Sequence, residues 1–145
     1  MDNETYAIEE IPNEDLLYYR IHKTKIDVDE LDDNKKIKLL AFDPQPKGST
    51  EMSTDWHKYS SALDAQNRAR VPNDNGIVSF EVETVRNSPF PLHVRHDPTL
   101  TEHFKNRAHA VILSIPLRNN DIGIRLKLRD ICKWEIPILG NSEYR

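Results

Sequence analysis

The chain is poor in cysteine and glycine and has no long apolar run, and each shortage excludes a class of protein. Its single cysteine, Cys132, excludes an intramolecular disulfide and a cysteine-based zinc site. The four glycines form no glycine-rich phosphate loop, and there is no G-x-S-x-G motif. No apolar run approaches the roughly 18 residues of a membrane span. Because the acidic start is also unlike a signal peptide, we expect a cytoplasmic protein with no membrane partner.

Charge is distributed unevenly along the 145 residues. Residues 1–33 contain eleven acidic and three basic side chains, so the rest of the chain is positive overall although the net charge is −4. An acidic segment of this kind solvates a protein or covers a cationic site. We predict that residues 1–15 are a flexible acidic lead-in and that residues 16–140 form a single domain.

Hydrophobic patterning predicts an α+β domain with an antiparallel or mixed sheet and about two helices. Leu16–His22 alternates, so Leu17, Tyr19 and Ile21 share one face of a strand. Ser60 or Ser61 suits the N-cap of the first helix. The further predicted strands are residues 37–42, 76–85, 108–115 and 134–139, and the predicted helices are residues 62–70 and 122–133.

The candidate catalytic residues come from a histidine-rich stretch, residues 92–114, which holds four of the six histidines. His96 precedes Asp97, whose backbone Pro98 restricts to an extended conformation, and His109 begins a predicted strand. Two imidazoles near a cation such as Arg95 are what metal-free phosphodiester cleavage requires. One histidine removes a proton, the other donates one, and the cation stabilises the phosphorane. This mechanism requires both imidazoles to lie in one pocket.

A metal site is the alternative use of the same residues. His93, His96 and His109 with Asp97 supply imidazole and carboxylate ligands, but H-x-x-H spacing alone is not specific for a metal. We therefore predict neither a metal nor a resident cofactor.

A second functional hypothesis comes from two other stretches. The early strand carries Arg20 and His22, and a polar, aromatic segment S-T-D-W-H-K-Y follows at residues 53–59. This layout loosely resembles NAD-binding ADP-ribosyltransferase-like domains. The resemblance implies that an early-strand arginine or histidine contacts the dinucleotide and that a later serine-containing strand supports the nicotinamide ribose. The acidic catalytic signature of those enzymes is not identified in this sequence.

Six short motifs together resemble a family of small uncharacterised prokaryotic proteins over residues 16–136. The motifs are YRIH, S-T-D-W-x-K-Y, G-I-V-S-F-x-V-x-x-V-R, H-x-x-H-D-P, N-x-A-H-A and R-L-K-L. The positions that match this layout are Asp55, Trp56, Arg86, His96, Asp97, Pro98, Asn106 and His109. The resemblance supplies candidate positions and no reaction.

Three classes of function stay open from the sequence. They are a nuclease-like, phosphodiester-acting enzyme, an NAD-handling domain and a non-catalytic binding or accessory subunit. The corresponding partners are a nucleic acid or nucleotide, or another protein. The predicted binding residues are Arg20, His22, Asp55, Trp56, Tyr59, Arg86, Asn106 and Arg107.

Overall fold

A computed structural model describes residues 6–43, 50–101, 104–113 and 122–138, which form an α+β domain as the sequence predicts. The strands are β1 (Leu16–His22), β2 (Glu51–Trp56), β3 (Asn75–Glu81), β4 (His93–His96), β5 (Thr99–Leu100), β6 (Lys105–Asn106), β7 (His109–Leu113) and β8 (Lys133–Ile136). The α-helices are α1 (Ala62–Asn67), α2 (Val82–Arg86) and α3 (Ile122–Ile131).

Six of the strands form one antiparallel sheet in the order β4-β7-β2-β1-β3-β8, and β5 and β6 form a small separate pair. The strand β1 lies near the middle of the large sheet because its branched and aromatic residues suit a position with neighbours on both sides. It pairs with β3 at seven positions, from Leu16↔Glu81 to His22↔Asn75. The predicted bounds of β1 are confirmed.

The core covers one face of the sheet. Leu17, Tyr19 and Ile21 of β1 are buried there, as their alternation predicts. Tyr19 stacks on Phe42 with ring centroids 5.9 Å apart, and Phe80 of β3 packs against both rings. The helix α3 closes this core with buried Ile124 and Leu128. Burial raises the pKa of the Tyr19 hydroxyl, which donates a hydrogen bond to the carbonyl of Ala41.

The opposite face of the sheet carries α1. Ser61 caps this helix by accepting a hydrogen bond from the Asp64 backbone, and the Asp64 side chain accepts one from the Ser61 backbone in return. Arg20 of β1 lies opposite Ile77 of β3, so the two side chains share this face. Arg20 donates to the carbonyl of Ala65 at 3.1 Å, which fixes α1 over β1 and β3.

Some elements of the structure differ from the prediction. Residues 37–42 were predicted as a strand, but Leu39–Phe42 is a 3-10 helix, because a short apolar run does not distinguish a buried helix from a buried strand. The strand predicted at residues 76–85 ends at Glu81, and α2 follows it directly. The strand β2 was not predicted, because its polar residues conceal the alternation.

The first described residues are packed against the body of the protein, in contrast to the predicted flexible lead-in. Ile11 is 3% exposed and belongs to the core. Arg86 donates at 2.7 Å both to the carbonyl of Ile11 and to the side chain of Asn13. Asp15 accepts a hydrogen bond from the Trp56 indole at 2.8 Å. We call residues 6–15 the docked segment; residues 1–5 lie outside the described part of the chain.

No helix in the described ranges is both long and apolar enough to cross a bilayer.

Candidate functional site

A cleft opens where β1 and β2 separate. The two strands pair only at Leu17↔Trp56 and Tyr18↔Asp55, although each is paired over its length with its other neighbour. Beyond Tyr18, a cleft of about 500 Å³ lies between them. That volume lies within the roughly 300–1,000 Å³ range of small-molecule sites. The lining residues on which the chemistry depends are Tyr18, Arg20, His22, Ser53, Asp55, Arg68, Phe104, Asn106 and His109.

A buried carboxylate holds one wall of the cleft together. Asp55 is 4% exposed and accepts a hydrogen bond from the Asn106 amide at 2.8 Å on Oδ1. Its Oδ2 accepts one from Arg68 at 3.1 Å and lies 3.6 Å from the nearest guanidinium nitrogen of Arg20. Arg68 is the C-cap residue of α1 and also donates to the Ser60 hydroxyl at 2.9 Å. Asp55 thus gathers side chains from β1, α1 and β6 at one point.

The cleft is positive although the chain is acidic. Among the residues that the structure describes, its charged lining side chains are Arg20, Lys25, Arg68 and Asp55, three cations and one carboxylate. Since Asp55 neutralises only one of the cations, an anion that enters the cleft meets a net positive field. The two guanidinium groups suit phosphate or carboxylate oxygens, which arginine binds with two parallel hydrogen bonds.

His109 lies at the edge of the cleft, with both ring nitrogens engaged. It is the first residue of β7 and pairs with Asp55 of β2. Its Nδ1 is 2.7 Å from the backbone carbonyl of Asp97 and 3.5 Å from the Asp97 carboxylate. A carbonyl only accepts, so Nδ1 carries the proton and donates. Nε2 is therefore the acceptor nitrogen, and it lies 3.2 Å from the hydroxyl of Ser53.

His96 lies on the other face of the sheet from His109. It pairs with Ala110, the residue next to His109, and neighbouring residues of a strand point to opposite faces. His96 is 1% exposed and packs against the Trp56 ring at 5.0 Å. The structure therefore does not bring the two histidines into one pocket, as the two-histidine mechanism requires.

The hydrogen bonds of His96 are structural. Its Nδ1 accepts from the backbone N–H of Glu9 at 3.0 Å, so Nε2 carries the proton and donates to the carbonyl of Arg107 at 2.7 Å. His96 thus ties the docked segment to the turn that precedes β7.

The side chain of Glu9 reinforces this contact. Hydrogen bonds from Lys58 and Tyr59 hold the pKa of the Glu9 carboxyl below its ordinary value, and the same pairing raises the pKa of Lys58. The Arg107 guanidinium lies 4.3 Å from the centre of the Tyr59 ring and 5.7 Å from that of Tyr6. These polar and aromatic contacts form a docking surface for residues 6–15.

The predicted site residues therefore fall into two groups and one outlier. The cleft contains Arg20, His22, Asp55, Asn106 and His109, with Asp97 directly behind His109. The docked segment is held by Trp56, Tyr59, Arg86, His96 and Arg107. Arg95 lies apart from both groups on β4, where it pairs with Glu51 at 3.5 Å.

Four of the nine lining residues named above are not among the predicted site residues: Tyr18, Ser53, Arg68 and Phe104. Ser53 is not among the predicted binding residues, although the ADP-ribosyltransferase-like resemblance implies that a serine of its segment supports the nicotinamide ribose. A prediction of β2 as a strand would place Ser53 on the same face as Asp55. Arg68 lies within the predicted helix at residues 62–70, but no sequence pattern indicates that its side chain reaches Asp55.

Among the residues that the structure describes, no group of three or more histidine, cysteine, aspartate or glutamate side chains is arranged to hold a metal ion. Comparisons of the chain with protein-family models, with curated proteins and with solved structures find no match.

Proposed function

We propose that the cleft between β1 and β2 binds a nucleotide, and that NAD is the ligand to test first. The observation that carries the proposal is the pair of arginines, Arg20 and Arg68, held beside one buried carboxylate in a cleft of net positive charge. Guanidinium groups held in place by a carboxylate are pre-organised for a phosphate, since little side-chain entropy is left to lose.

The neutral lining suits the rest of a nucleotide. Tyr18 and Phe104 offer aromatic rings for a base, and stacking of this kind tolerates any base. Asn75 and Thr99 add polar groups that suit ribose hydroxyls. The cleft thus combines the three kinds of contact that a nucleotide requires.

NAD is favoured among nucleotides by the position of three residues. The resemblance to ADP-ribosyltransferase-like domains implies that an early-strand arginine or histidine and a later-strand serine contact the dinucleotide. Here Arg20 and His22 on β1 and Ser53 on β2 line the same cleft. An NAD-binding role also agrees with the cytoplasmic location expected from the sequence, because NAD is an intracellular metabolite.

Phosphodiester cleavage by two histidines is not proposed. His96 is buried in contact with Trp56 on one face of the sheet, and His109 lies in the cleft on the other. A single bound substrate therefore cannot contact both the proton donor and the proton acceptor of that mechanism.

Isothermal titration of the full chain with NAD, ADP-ribose, AMP and nicotinamide tests the proposal. We expect the phosphate-containing ligands to bind and nicotinamide alone to bind far more weakly. Arg20→Gln and Arg68→Gln should each weaken NAD binding by about tenfold to a hundredfold, the value of a hydrogen bond to a charged group.

Arg95→Gln is the matched control, because Arg95 is an exposed arginine whose partner, Glu51, does not line the cleft. It should bind NAD as the unaltered protein does. Absence of saturable NAD binding, or equal losses in all three variants, would show that the cleft arginines do not recognise the ligand.

A further inference from the structure

Ser53, His109 and Asp97 form a hydrogen-bonded chain at the edge of the cleft. We propose that Ser53 is a nucleophile that attacks a phosphorus atom of the bound nucleotide, with His109 as its general base. The inference rests on the proposed function, since it takes the pyrophosphate of a dinucleotide as the group attacked. It assigns the cleft a hydrolytic activity in addition to binding.

The hydrogen bonds give His109 the tautomer that a base requires. Nδ1 donates to the Asp97 carbonyl at 2.7 Å, which leaves the lone pair of Nε2 directed at the Ser53 hydroxyl 3.2 Å away. The Asp97 carboxylate, 3.5 Å from Nδ1, stabilises the imidazolium that forms when the proton is taken. The order serine, histidine, aspartate is that of a serine hydrolase triad, except that here the backbone carbonyl of Asp97, and not its carboxylate, accepts the hydrogen bond from Nδ1.

Ser53 differs from the neighbouring Thr54 in its exposure and in its hydrogen-bond partner. Thr54 points to the other face and its hydroxyl donates to the carbonyl of Ala110 at 2.9 Å, a buried structural bond. Ser53 is exposed, lines the cleft, and has the imidazole as its hydrogen-bond partner. Its hydroxyl is therefore both accessible to a ligand and next to a proton acceptor.

The arginines lie where negative charge would develop. Arg20 lines the cleft from β1, and Ser53 lines it from β2. Arg68 is held by Asp55, which points to the same face as Ser53. A phosphoryl group between Ser53 and these guanidinium groups has its charge stabilised as it becomes pentacoordinate.

The reaction balances without a further reactant apart from water. The Ser53 oxygen forms a bond to one phosphorus, the bond from that phosphorus to the bridging oxygen breaks, and its electron pair leaves with the other mononucleotide. The serine proton passes to His109 and from there to the departing oxygen. Water then attacks the phosphorus of the nucleotidyl-serine diester and gives its proton to His109. The bond between serine and phosphorus breaks, and the serine oxygen recovers a proton.

The test is incubation of the full chain with NAD, followed by chromatography of the products and intact-protein mass spectrometry after acid quench. We expect AMP and nicotinamide mononucleotide, and a nucleotidyl adduct that maps to Ser53. Ser53→Ala should remove the adduct and the turnover. His109→Gln should lower the rate by about 10²–10⁴, the range of general acid–base catalysis.

His93→Gln is the control for an exposed histidine outside the cleft and should leave the rate unchanged. NAD that binds without forming AMP, or that yields nicotinamide and ADP-ribose instead, would overturn the nucleophile and leave the binding proposal standing.

Bis(p-nitrophenyl) phosphate tests the proposed nucleophile independently of NAD binding. Its cleavage by the unaltered chain, lost in Ser53→Ala and in His109→Gln, would support the nucleophile even if NAD fails to bind. If NAD does not bind, absence of bis(p-nitrophenyl) phosphate cleavage would overturn the nucleophile.

Discussion

Replacing Ile11 with alanine tests whether the docked segment is part of the folded structure. Ile11 is 3% exposed, so nearly all of its side chain is removed from water. Truncating a buried isoleucine to alanine costs about 2–5 kcal/mol, from the lost transfer energy and the cavity left behind. A loss of about 3 kcal/mol would lower the Tm of a domain of this size by roughly 6–12 °C.

The substitution isolates packing from hydrogen bonding. Arg86 contacts the carbonyl of Ile11, which the alanine variant retains. Ile8→Ala is the matched control, since Ile8 lies in the same segment but is 70% exposed, and an exposed substitution changes stability by at most about 0.5 kcal/mol.

The assay is urea unfolding followed by circular dichroism, together with thermal melts, on the unaltered chain and both variants. We expect Ile11→Ala to unfold at a lower urea concentration with an unchanged slope. If the two variants are equally stable, residues 6–15 do not contribute to the fold, and the lead-in predicted from acidic composition is the better description.

Two further predictions concern the core and the ion pair of the docked segment. Phe80→Ala should lower the free energy of unfolding in urea by about 3–5 kcal/mol, because the ring is fully buried. The exposed control Leu31→Ala should lower it by less than about 0.5 kcal/mol. A loss under about 1 kcal/mol for Phe80→Ala would mean that the ring is not in the core. The pKa of Glu9 is lowered from 4.5 by Lys58 and Tyr59, so its contribution to stability is present above about pH 4.5 and is lost as the pH falls through the lowered value. The stability difference between the unaltered chain and Glu9→Gln should therefore shrink between pH 6 and pH 3, and a difference that stays constant with pH would contradict the pairing.

Sequence reasoning identified β1 and α3, whose burial is one-sided, and also β3 and β7, whose residues are buried on both faces. The alternation of β1 gives its bounds and its buried face, and α3 lies at residues 122–131, inside the predicted range 122–133. Ser61 caps α1 as its side-chain chemistry predicts. In each case local preference and tertiary environment favour the same structure.

The strand β2 was missed for a reason connected with the site. Met52 and Trp56 face the core, whereas Ser53 and Asp55 face the cleft, and Thr54 and Asp55 are polar residues that are nevertheless buried. A strand whose outer face binds polar groups lacks the hydrophobic contrast on which periodicity depends. Functional strands are therefore the ones that hydrophobic patterning identifies least well.

The candidate site could be predicted only in part. Histidines that are close in sequence were found, but whether His96 and His109 share a face depends on the register of β4 on β7, in which His96 pairs with Ala110. A shift of one residue would have placed both imidazoles on one side. The meeting of Arg68 with Asp55 depends on how α1 packs on the sheet, which no local pattern specifies.

The strand order also has a consequence for how fast this chain folds. In the described part of the large sheet, no two neighbouring strands are joined by a tight hairpin turn. The strands β4 and β7 are separated along the chain by β5 and β6, and β1 and β3 pair residues more than fifty positions apart, as in His22↔Asn75. Closing such loops costs entropy before any contact is gained, so sheets built from distant pairs fold in roughly milliseconds to seconds. Stopped-flow refolding should place this chain among the slow α+β domains, and the strands should acquire amide-exchange protection together.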